Sequence, residues 1–152
     1  MTTLFTALHH FAVLALFACT LVSIYQLRQP LTLPGARVLR MTDLLNGVAA
    51  TLVLVVGLIR VFCLENGSAY YFSNGPFLAK LALYGLASVL SLVPTLEVRR
   101  WRAPLKNGQL PVLSDSKLSR LRAVAYLQLA CLAAMALCAN LAARGPDGRF
   151  GL

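Results

Sequence analysis

The chain has 152 residues, 59% of them hydrophobic and only 12% charged, where a soluble domain carries roughly a quarter charged residues. That balance excludes an ordinary water-soluble domain and points to lipid as the solvent, with room for one compact unit of spans of about 20 residues each. The net charge of +9 does not mark a nucleic-acid binder, because the basic residues fall in loops between apolar segments and not along an amphipathic surface.

The first apolar segment runs from about Leu4 to Leu27. Leu16-Phe17-Ala18-Cys19 faintly resembles a lipoprotein cleavage box, but no Lys or Arg precedes it and the apolar run continues through Tyr25, so an uncleaved first span is expected. A loop with Arg28, Pro30, Pro34, Gly35, Arg37 and Arg40 follows, combining breaker residues with positive charge. Span 2 is predicted over about Met41 to Cys63. Next comes a turn-forming stretch from Glu65 to Pro76, in which Tyr70 and Tyr71 read as an interfacial aromatic belt. Its Asn66-Gly67-Ser68 sequon is short enough to arise by chance.

Span 3 is predicted over about Phe77 to Val98, and the third loop carries Arg99, Arg100, Arg102, Lys106, Lys117, Arg120 and Arg122 around Trp101. Span 4 covers about Ala123 to Ala143, and a short tail, Arg144 to Leu152, ends the sequence. Ten of the fourteen Lys and Arg residues lie in the first and third loops, which the positive-inside rule assigns to the cytoplasm. The fold expected is therefore an all-α, integral membrane bundle of four transmembrane helices, residues 1–152, with both termini extracytoplasmic, in a bacterial inner membrane. Lipid cannot satisfy free backbone polar groups, and segments this long and uniformly apolar are not barrel strands. Cys19, Cys63, Cys131 and Cys138 lack the close spacing of a metal or redox motif and read as small residues of the spans.

Ionisable residues inside a span need a partner, a wet cavity or reach to the headgroups. Those present are His9, His10, Asp43, Arg60 and Lys80. At about 100° per residue, His9 shares its face with Ala12, Val13, Leu16, Thr20 and Ser23, whereas His10 shares one with Leu14, Phe17, Leu21 and Ile24. His9 is thus expected to face the bundle and His10 to face lipid or the interface. Arg60 aligns with Val56, Val53, Ala49 and Asn46. Span 3 has the stripe Lys80, Tyr84, Ser88, Ser91 and Thr95, and span 4 has Gln128, Cys131, Met135 and Cys138. Counting about 1.5 Å per residue puts His9, Arg60 and Lys80 in one outer layer. There an imidazole can ligate a metal or haem iron or relay a proton, and two cations can hold an anionic or quinone-like head. Snorkelling is the plain alternative for Arg60. Asp43, near Arg28 and Arg40, is expected to form an ion pair or a helix cap.

These residues carry a resemblance. Leu8-His9 early in span 1, with Phe77-Leu78-Ala79-Lys80-Leu81 opening span 3, is similar to the four-span bacterial membrane proteins related to the HemJ-type protoporphyrinogen oxidase and to the CopD-like copper-resistance proteins. Tyr70-Tyr71, Asn74, Phe77, Lys80, Leu90-Ser91-Leu92-Val93-Pro94-Thr95 and Trp101-Arg102 resemble an uncharacterised branch of such proteins. The HemJ-type resemblance implies a b-type haem at His9 and a functional role for Lys80; Pro76 stands where those enzymes have an Arg, one turn before the Lys.

The expectation is a haem-b-binding or redox-associated protein with a porphyrin- or quinone-type ligand, in which His9 is iron ligand or proton carrier and Arg60, Lys80 and Tyr84 bind the ligand. Catalytic roles fall on His9 and Lys80. Held beside it are a non-enzymatic scaffold or assembly subunit, as a homo-oligomer or part of a membrane complex, using small residues such as Gly47, Ala49, Ala50 and Gly57, and a copper-handling protein.

Overall fold

A computed structural model describes residues 2–64 and 75–143. Among them there is no strand. The helices are α1 (Thr2–Arg28), α2 (Leu33–Ile59), which runs on into a π-helical turn (Arg60–Leu64), α3 (Gly75–Arg100), a short α4 (Arg102–Lys106) and α5 (Asp115–Ala143). Four of these, α1, α2 with its π-turn, α3 and α5, are long and apolar enough to cross a membrane.

Two helices begin earlier than their apolar runs. Pro34 reads as a breaker in sequence but occupies the first turn of α2, where a missing N–H costs nothing. Thr32 caps that turn, its hydroxyl accepting from the Gly35 amide at 3.2 Å. The span from Leu33 to Cys63 is 31 residues long, about 45 Å at helical rise, against a hydrocarbon core of about 30 Å. Its Arg37 and Arg40 turns therefore lie at headgroup level while still helical. The charged segment before Ala123 is likewise the start of α5, not a loop. The predicted loop around Glu65, Tyr70 and Tyr71, its sequon, and the tail from Arg144 lie outside the described residues.

The helices surround a common axis in the order α1, α2, α3, α5. Each packs on its neighbours in that ring, and α1 with α3 and α2 with α5 stand on the diagonals. The interior is layered. At the basic end, Ile24, Leu27, Leu39, Val98, Leu121 and Ala125 form an apolar cluster that Trp101 and Leu105 close from below as α4 folds under the bundle. Arg122 Nε donates to the Leu27 carbonyl at 2.6 Å, capping the C-terminus of α1 with a cation. Toward the opposite end a second cluster joins Ala12, Leu16, Ala49, Val53, Leu132 and Met135.

Between the two clusters lies a belt of polar groups. Thr95 donates to Asp43 Oδ1 at 2.8 Å and Tyr84 to the Ala50 carbonyl at 2.8 Å, tying α3 to α2. Gln128 Nε2 reaches the Ala87 carbonyl at 3.5 Å, linking α5 to α3. Ser88, Ser91 and Thr20 donate back to carbonyls of their own helices. The span-3 stripe therefore does face its neighbours. Asp43, by contrast, is neither a helix cap nor paired with Arg28 or Arg40. It sits well inside α2, held by Thr95 and within electrostatic reach of Arg99. Depth explains the difference: α2 starts two turns earlier than its apolar run, so Asp43 lies above the headgroup cations. Thr95→Val is expected to lower stability by about 1 kcal/mol, in line with interhelical hydrogen bonds in membranes, read as an earlier midpoint on unfolding in SDS.

Candidate functional site at the end opposite the basic loops

His9 is 7% exposed and His10 is exposed, as helix counting gives. The His9 ring lies against α2 at Gly57, where a Cβ would stand 3.3 Å from imidazole Cε1 and 3.7 Å from Nδ1. Glycine is what lets the ring approach the helix so closely. Three residues further on, at Arg60, α2 widens into the π-turn, which packs on α1. Such turns occur mostly as single insertions into α-helices and frequently at functional sites. His9 and Arg60 thus belong to one local assembly, built from facing turns of adjacent antiparallel helices.

Lys80 and Tyr84 are placed differently. Both are half-buried on α3, the helix diagonal to α1, and among the described residues neither α1 nor the π-turn approaches the α3 backbone. Tyr84 bonds to Ala50 and belongs to the rim of the polar belt. The second apolar cluster separates this belt from His9. By backbone placement, then, His9 and Arg60 belong to neighbouring elements, and Lys80 and Tyr84 to the helix diagonal to α1. Sequence periodicity could not foresee this, because it fixes the face of each helix but not the order of helices around the axis.

Among the described residues, cavities enter the interior of the bundle. One of about 40 Å³ is lined by Thr20, Ser23, Asp43, Asn46, Trp101 and Gln128 among others, and one of about 60 Å³ by Thr20, Asn46, Tyr84, Ser88, Gln128 and Met135 among others. Neither is lined by His9, Arg60 or Lys80. Both are small beside pockets for drug-sized ligands, which measure roughly 300 Å³ and upward. Met135, from the span-4 stripe, is part of the apolar cluster. No group of three or more His, Cys, Asp or Glu side chains among the described residues is arranged to hold a metal ion, and His9 and His10 look into different surroundings. All four cysteines are free.

Layering, length and apolarity together define a multi-pass membrane bundle. A family model described as "Predicted membrane protein (DUF2214)" matches residues 1–146, and the chain belongs to that family. No curated protein and no solved structure matches it.

Proposed function

We propose that this protein binds the oxygen-bearing head of a membrane-soluble redox ligand, quinone or porphyrin in class, at the rim formed by α1, α2 and the π-turn. One observation carries the reading: a buried imidazole, His9, is seated on a helix turn emptied by Gly57 and continued by a π-turn that begins with Arg60. An imidazole can accept or return a proton as such a ligand is reduced or oxidised, and a guanidinium stabilises its anionic oxygen. The resemblance to HemJ-type proteins supports His9 as the central group. The place of His9 beside Gly57 and the π-turn, outside the linings of the two interior cavities, favours a ligand held at the rim. By the positive-inside rule this rim faces outward from a bacterial inner membrane.

The test is binding by the purified protein in lipid nanodiscs. One arm follows a Soret band on titration with haem, the other equilibrium dialysis with a short-chain quinone. Saturable binding is expected in one arm, weakened about tenfold by Arg60→Gln, the equivalent of about 1.4 kcal/mol. Lys80→Gln should cost less, since α3 stands across the bundle. Absence of saturable binding in both arms refutes the reading.

A further inference from the structure

Two buried atoms of opposite hydrogen-bonding character, one in the basic-end cluster and one in the polar belt, are satisfied by no described residue: the indole Nε1 of Trp101, a donor, and Oδ1 of Asn46, an acceptor. Both residues line the same cavity of about 40 Å³, together with the Asp43 carboxylate and the Thr20, Ser23 and Gln128 side chains. Trp101 is 2% exposed, so bulk water at the basic end does not reach it. Buried polar groups without a protein partner are in general satisfied by ordered water.

The identity of the occupant follows from the pair. A cation would serve the Asn46 carbonyl and the Asp43 carboxylate but offer nothing to an indole N–H. An anion would serve the indole and be repelled by Asp43. Only a species that both donates and accepts satisfies both ends, and a carboxylate already accepting one bond from Thr95 retains capacity for more.

The geometry points to an internal water site in which a cluster of about three molecules, the number such a volume holds, bridges the Trp101 indole to the Asn46 carbonyl and the Asp43 carboxylate. Leu39, Val98 and Leu121 of the basic-end cluster line the cavity on one side, and the second apolar cluster lies beyond it on the other. The neighbouring cavity of about 60 Å³ shares Thr20, Asn46 and Gln128 with the first, so the wet region continues toward Tyr84. The site keeps the Asp43 carboxyl group solvated within the bundle.

The sequence contains a single tryptophan, which makes the experiment unambiguous. In the full chain, labelled with ¹⁵N-indole and reconstituted in bilayers, water-edited solid-state NMR follows polarisation transfer from water to the Trp101 Nε1–H. Transfer at short mixing times is expected, together with an indole proton shift typical of a hydrogen-bonded ring. Asn46→Leu should abolish the fast transfer by filling the chamber, and Thr20→Val should diminish it. An indole signal that builds up only as slowly as the backbone amides of Leu16 and Val53 overturns the proposal on the wild-type protein alone, whether or not the variants fold. Fast transfer left unchanged by Asn46→Leu overturns it as well.

Discussion

Replacing Trp101 by alanine is expected to destabilise the bundle more than any other single truncation, by roughly 3–5 kcal/mol on the scale of buried aromatic deletions. Trp101 is the floor of the basic-end cluster, which joins residues of all four spans and Leu105 from α4. Truncation leaves a cavity that α4 cannot fill without losing its own anchor, and it opens the polar belt to the basic end. Thermal unfolding followed by thiol labelling reads this directly, because Cys131 is buried and Cys63 exposed. In a Cys63→Ala background the labelling midpoint of Trp101→Ala should fall by several degrees or more, whereas truncating exposed Leu86 or Val89 on α3 should leave it nearly unchanged.

A second large effect is expected at Gly57. Alanine there gains helix propensity of about 1 kcal/mol but brings a methyl to 3.3 Å from the His9 ring, so the ring must yield by a few tenths of an ångström and the net change is small. Leucine cannot be accommodated. It displaces the imidazole and parts α1 from α2 beside the π-turn, at a cost of about 1–3 kcal/mol typical of overpacking. On the proposed reading, Gly57→Leu also abolishes ligand binding while Gly57→Ala retains it. Unfolding in SDS and the nanodisc titration measure the two consequences separately.

Much of the architecture was legible in the residues. Four apolar runs specify four helices, and the contrast between the faces of His9 and His10 follows from the helical repeat. The stripe from Tyr84 to Thr95 is polar because it meets α2 and α5. Other features follow from relations that a single helix does not contain. Asp43 was misplaced because Pro34 resembles a stop signal and is instead a first-turn residue, which extends α2 and raises Asp43 above the headgroup region. The π-turn at Arg60 carries no residue pattern of its own. The distance between His9 and Lys80 depends on which helices are diagonal, a property of four-body packing. In sequence Trp101 stands among the arginines of the third loop. Its burial arises because α4 turns back under the bundle, with Gly108 adopting φ +69° just beyond it, a backbone conformation natural to glycine.

On the proposed reading, His9 and not His10 is the histidine of the ligand site. The most direct measurement is the nanodisc titration repeated with His9→Ala and His10→Ala, each matched to wild type for monodispersity and unfolding midpoint. Loss of saturable binding in His9→Ala with wild-type affinity in His10→Ala is the predicted result. Equal affinities in the two variants, or a loss confined to His10→Ala, would contradict it.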